Sequence, residues 1–380
     1  MKKYILPEKL VWSNLILRWL IGTERSPILL GLIIALVFNI IAGIVGAMAG
    51  CFFNVGKTTG FIQQPSTIPA MFAGAAIFAF YIWMPRGIAN AINGLVENNV
   101  VGTSIDADSS KGTTPTDLEE FSAQMVRSIS KWHWWFIPLI LSTFSTVVAV
   151  LPVYLRYHAT QTACTTYTMA GVVLSVIWMI MCIYSIFGFV VYSFLTVFWF
   201  NKLFRSFRIR VQLLHPDGAG GLSPLGNLAL KLSYPITVIG FVLVLAPMTR
   251  QYAIDRTFHM LITPDLIAGM ALYLILAPIV FFAPLATAHN SMRQAKNNML
   301  LRIANKFDCE YGKIEEELSK DNSDFDKPYR KMKSFQSLYD DIRKFPVWPF
   351  NIDNITRFVT STVSPIVLAI ITNLVARLMP

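Results

Sequence analysis

The sequence predicts an all-α fold: a polytopic bundle of about seven transmembrane helices, N-terminus inside and C-terminus outside, with a helical cytoplasmic extension. Three observations carry this. The chain has 380 residues, of which 54% are hydrophobic and only 14% charged, against about 25% charged for an ordinary soluble domain. The charges cluster between long uncharged stretches, as in a chain that meets two solvents. The basic residues also alternate between rich and poor segments, as retention of Lys and Arg on the cytoplasmic side requires.

A helix of about 20 apolar residues crosses a bilayer core. The first such stretch is Ile28–Gly50, uncharged throughout. The second, Ala70–Met84, is short and is read as continuing past Pro85 through Gly87–Val96. Trp134–Leu155 is the third. Met169–Phe200, the fourth, exceeds one bilayer, so it must tilt or project. Pro235–Met248 with the turn before it is the fifth, Leu266–Ala288 the sixth and Phe358–Ala376 the seventh. Residues 1–288 thus read as a membrane domain, 289–353 as a cytoplasmic helical segment, and 354–380 as the last span.

Counted between these spans, the Lys and Arg residues number 5, 1, 4, 1, 5, 2, 13 and 1, which accounts for all 32. A missed span would scramble that order. The net charge of +10 fits cytoplasmic loops facing anionic lipid better than nucleic acid. Met1-Lys2-Lys3 is basic, but the first apolar run contains Arg18 and no small-residue cleavage site follows. The expectation is an uncleaved anchor rather than a signal peptide.

Some segments suit the membrane surface. Lys9–Gly22 is apolar except for Ser13, Asn14 and Arg18, and it carries Trp12 and Trp19. It reads either as an interfacial helix or as an extension packed on the bundle. Lys131–Trp135, with three tryptophans, and Phe345–Phe350, with Trp348, read as boundary markers. Gly102–Thr116 reads as a long loop or disordered segment. Asp117–Lys131 reads as a short helix, with Thr116 and Glu119 at capping-box spacing. His289–Ser319 reads as a helix continuing the sixth span. Its apolar stripe (Met292, Met299, Ile303, Phe307, Ile314, Leu318) must bury against Ser334–Lys344 or against a partner subunit.

The string that invites chemistry is His215-Pro-Asp-Gly-Ala-Gly-Gly-Leu222, following Lys202, Arg205, Arg208 and Arg210. Successive amides around Gly218, Gly220 and Gly221 can cradle an anion, with the arginines adding charge. His215 and Asp217 also have the makings of an acid/base pair. The plainer reading is a structural turn: glycines for positive φ, Asp217 capping the next helix. No Gly-Lys-Ser/Thr follows, so this is not a Walker loop. His215-Pro216-Asp217 with Gly220-Gly221-Leu222, together with Phe345-Pro-Val-Trp-Pro-Phe350 ahead of a final span, resembles a loose group of bacterial multi-pass inner-membrane proteins. The two strings cover under a tenth of the chain. The resemblance implies an inner (plasma) membrane setting and no activity.

The spans hold no Asp, Glu, Lys, Arg or His at depth, which argues against proton or sodium coupling. Ser142, Thr143, Ser145 and Thr146 form a hydroxyl cluster in the third span, and prolines recur throughout. Small residues in the first two spans (Ala35, Gly43 and Ala47; Ala70 and Gly74) predict that these spans pack together or form a subunit contact. Cys51 and Cys164 both fall at the expected outer face, where a disulfide is chemically allowed. No hydrolase elbow, zinc motif or dinucleotide fingerprint appears, so no catalytic residue, metal or cofactor is assigned.

Three functions stay open. One is a non-enzymatic effector, receptor or pore-like protein that answers a ligand or protein partner at its cytoplasmic face. Another is an uncoupled facilitator of a neutral or lipid-like solute. The last is a surface enzyme using His215 and Asp217. The expected partners are the lipid bilayer and a second copy, met through the first two spans or the 289–319 helix.

Overall fold

The computed structural model describes residues 5, 7–10, 14–23, 25–48, 50, 67–104, 115–160, 169–212, 215–255, 264–319, 326–350 and 352–378. In chain order the elements begin with α1 (Pro7–Leu10), α2 (Leu15–Gly22), α3 (Pro27–Met48), α4 (Thr67–Glu97) and β1 (Val101–Ser104). Then come α5 (Pro115–Ile129), α6 (His133–Thr160), α7 (Met169–Ser206) and β2 (Phe207–Ile209). The last are α8 (Ser223–Asp255), α9 (Pro264–Ser319), α10 (Asp326–Lys344) and α11 (Ile352–Leu378). The strands form one antiparallel ribbon, with Val101 opposite Ile209.

The chain is a multi-pass membrane protein. Six helices among the described residues are long and apolar enough to cross a bilayer, within α3, α4, α7, α8, α9 and α11. The span expected at Trp134–Leu155 falls in α6, a 28-residue helix that packs beside α7 and leaves Ile140, Phe144 and Val148 exposed.

Helices in lipid gain little from burying apolar surface, so they associate by close backbone approach. Glycines set the contacts. A Cβ on Gly31 of α3 would lie 2.4 Å from the Ala75 carbonyl oxygen, so α3 and α4 touch backbone to backbone. Gly74 lies under Trp178 of α7, Gly188 of α7 lies under Tyr81, and Gly240 of α8 receives Tyr273 and Pro365. Phe38 stacks on Trp178 at 4.6 Å and Phe78 meets the same ring edge-on at 5.6 Å, which fills the space among α3, α4 and α7.

The best-buried apolar residues lie at one end of the bundle. There α4, α7, α8 and α9 run on into a cap with α1, α2, α5, the ribbon and the 345–350 segment. Ile88, Leu95, Met125, Leu203, Leu222 and Leu225 are almost wholly enclosed. Each such side chain contributes about 1.5–3 kcal/mol by leaving water. The spans instead show open apolar faces, such as Leu36, Ile40 and Ile44 of α3 and Val363, Val367 and Ile370 of α11. Lipid covers what the cap buries in protein.

Some expectations need correcting. Helix α8 starts at Ser223, not near Pro235. Its first turns carry Asn227 and Lys231, and they sink into the cap through Leu225, Leu228 and Leu232. The expected loop Gly102–Thr116 contributes a strand at its start and the first residues of α5 at its end, while residues 105–114 lie outside the described residues. The Phe345–Phe350 segment, read as a boundary marker, also packs on the protein: Pro349 and Phe350 are buried, Pro346 is exposed, and Trp348 stacks on His289 of α9 at 4.0 Å. Lys9–Gly22 splits into α1 and α2. Helix α2 buries Leu17 and Ile21 while exposing Ile16 and Trp19, so it packs on the bundle and keeps a bare apolar edge.

Candidate functional site

The loop between β2 and α8 joins several parts of the cap. Gly218, Gly220 and Gly221 have φ of +64°, +68° and +89°, values that L side chains adopt only at a cost. Space also demands glycine at two of them. A Cβ on Gly220 would lie 2.6 Å from Val211 Cγ1, and one on Gly221 would lie 2.6 Å from Val100 Cγ2. The curl brings alternate amides, those of Ala219, Gly221 and Ser223, around to face one side chain, Asp217.

Asp217 Oδ1 accepts from the Ala219 amide at 2.9 Å and the Gly221 amide at 3.0 Å, while Oδ2 accepts from the Ser223 amide at 3.1 Å. Ser223 is the first residue of α8, so the carboxylate caps that helix and complements its positive end. His215 Nδ1 approaches Oδ1 at 2.8 Å, and the Asp217 amide also approaches Nδ1 at 3.4 Å. One nitrogen cannot donate and accept at once. The shorter contact to a carboxylate places the proton on Nδ1, pointing at Asp217. The Asp217 side chain is 12% exposed. Burial alone would raise its carboxyl pKa, but the bonds from Gly221, Ala219, Ser223 and His215 together hold it below the ordinary value.

The knot is tied to its neighbours. The Asn98 side-chain amide donates to Gly221 O at 2.8 Å, Gln212 Nε2 donates to Asn98 O at 3.1 Å, and the Gln212 amide donates to Gly220 O at 3.2 Å. The Arg210 amide donates to Val100 O at 2.8 Å, extending the ribbon. Phe345 approaches the Gly220 position, and Gly226 packs against the Pro349 carbonyl. The end of α4, the ribbon, the start of α8 and the 345–350 segment therefore meet at this loop.

His215, Asp217, Gly218, Gly220 and Gly221 are thus brought together, but the Ala219, Gly221 and Ser223 amides are taken up by Asp217 and the Gly218 amide by His215 O. Arg205, in the last turn of α7, and Arg210 are exposed. Arg208 lies in β2. Cys51 and Cys164 lie outside the described residues; Cys182 and Cys309 are free thiols. No group of His, Cys, Asp and Glu among the described residues can hold a metal ion.

Sequence reasoning passed over a second polar centre. Asn14 accepts from the Leu17 amide to cap α2, and its amide nitrogen donates to the Tyr81 and Tyr184 hydroxyls at 3.4 and 3.3 Å. Tyr81 also donates to Tyr184 at 3.1 Å. Nearby, Arg86 of α4 donates to the Ile21 and Arg25 carbonyls, both at 2.7 Å, closing the end of α2. Asn93 exchanges two bonds with the Ile5 backbone, at 3.1 and 3.0 Å. The isolated polar strip around Asn14 and Arg18 was the available signal.

Two open surface depressions lie on α10 and between α9 and α10, away from both centres. The fold and these sites define a class: a helical multi-pass membrane protein with a folded cap on one side. No protein-family model matches the chain, and neither a curated protein nor a solved structure does.

Proposed function

We propose that the chain is a non-enzymatic effector or receptor of a bacterial inner membrane, with its cap and the α9–α10 hairpin in the cytoplasm. A ligand or protein partner engages that face and the bundle responds by rearranging, with a pore as the simplest output. The observation that carries this reading is continuity. Helix α9 runs unbroken for 56 residues, about 84 Å at 1.5 Å per residue, from the membrane through the cap to the hairpin. Helices α4, α7 and α8 likewise enter the cap as single rods. A load on the cytoplasmic face therefore reaches the spans without crossing a loop.

The internal engagement of Asp217 favours this over a surface enzyme. A carboxylate that already accepts three amides has little capacity left as a general base. The test is reconstitution of the purified chain in liposomes, with native co-purification alongside. The reading expects a conductance or a specific cytoplasmic partner. A chain that conducts nothing and retains no partner refutes it.

A further inference from the structure

The stripe of α9 that meets α10 is not its only one. Asn297, Leu301, Ala304, Asp308, Tyr311 and Glu315 also follow each other at steps of four and three, so they line a second side of the rod. That side is open: Leu301 is 62% exposed and Tyr311 55%. Leu300, Leu301 and Ala304 border a groove closed on its other edge by Tyr339 of α10. Tyr329 of α10, 54% exposed, stands near the height of Tyr311. The hairpin thus presents a mixed surface, with Leu301, Ala304 and Tyr311 interspersed with Asn297, Asp308 and Glu315 at the spacing of a helix–helix contact.

We infer that this surface pairs with the same surface of a second copy, giving a four-helix stalk. Lipid is out of reach. Phe282, 37% exposed, is the last exposed large apolar residue of the α9 span, and the stripe begins about 15 residues beyond it, ~22 Å along the axis. A second copy arrives aligned, because two chains in one membrane share orientation and height. A two-fold axis along the stalk then sets α9 of each copy against α10 of the other at equal height.

The charges suit that arrangement. Lys331 lies 4.0 Å from Glu310, which fixes the hairpin register and puts Lys333 of α10 level with Asp308 of α9. Both are exposed. In the pair, Asp308 of each copy faces Lys333 of the other, and Leu301 of each enters the groove beside Tyr339. The inference rests on the proposed placement of the hairpin in the cytoplasm, where nothing but another protein surface can cover the stripe.

The test uses the full chain in nanodiscs and detergent, with oligomeric state read by light scattering and native mass spectrometry. The wild type is expected to be a dimer, and Leu301→Glu with Tyr311→Glu is expected to raise its dissociation constant at least tenfold. Asp308→Lys should weaken the dimer on its own, and adding Lys333→Asp should restore it. The charge-swapped pair keeps the test sound if the first variant loses helix content. A monomeric wild type overturns the inference. So does a dimer indifferent to the substitutions, which would move the contact to the spans, and so does a failure of rescue. Conductance and partner capture report on the effector reading separately: a dimer that neither conducts nor captures leaves the stalk standing and defeats that reading.

Discussion

Replacing Asp217 by Asn keeps the size of the side chain and removes its charge. The retained oxygen can still accept from Ala219 and Gly221, but the new amide nitrogen meets the Ser223 N–H, which needs an acceptor. Hydrogen bonds to a charged group contribute about 1.5–3 kcal/mol each, and a buried donor left unpaired costs about 1–3. Weakening two bonds and losing one should therefore cost about 2–4 kcal/mol. His215→Ala removes one contact and spares the three amides, so it should cost about 1 kcal/mol.

Thermal unfolding in detergent, followed by tryptophan fluorescence, reads both. The pH dependence gives a second check. The Asp217 carboxyl is held below its ordinary pKa in the folded chain. Its stabilisation is therefore complete above the unfolded value of about 3.9 and is lost as pH falls through the lower folded value. Wild type should lose its advantage over Asp217→Asn as pH drops below about 4. If Asp217→Asn melts like wild type at pH 7 yet abolishes activity in liposomes, the capping account is wrong and the carboxylate acts on a ligand.

Gly220→Ala should destabilise the cap by about 1–3 kcal/mol, from a left-handed φ and from collision with Val211, and should broaden the same transition. Gly31→Leu should prise α3 from α4 and reduce the yield of folded protein, whereas Ile33→Leu on the lipid-facing side should change little; size-exclusion profiles separate the two. With Cys51, Cys164 and Cys182 replaced by Ser, an impermeant maleimide should label Cys309 in inside-out vesicles and not in intact cells. The opposite result would invert the topology.

The spans were legible because lipid imposes one rule, apolar for about 20 residues, and because Gly and Ala mark where helices touch. The α9–α10 pairing was legible for a related reason: Met299, Ile303 and Phe307 keep a strict step of four. The cap was not legible. Its core draws on Ile88, Met125, Leu203, Leu222 and Met292, which are scattered over distant segments and separated by polar residues. The first turns of α8 went unseen for the same reason, since Lys231 and Asn227 lower their hydropathy while tertiary packing buries their other faces. At the loop, the glycines pointed to a tight turn, but an anion cradle and a self-capped turn share one sequence pattern. Only the direction of the Asp217 side chain separates them.

Pro278 and Pro284 stand inside α9, each deleting one helical hydrogen bond within the span read at Leu266–Ala288. Roughly 21 Å of helix precedes Pro278 and about 53 Å follows Pro284, taking 1.5 Å per residue. Bending is easiest between the two prolines, so a sideways load on the hairpin is spent first as a change of angle beside Phe281, whose ring is enclosed by Phe350 and Phe358.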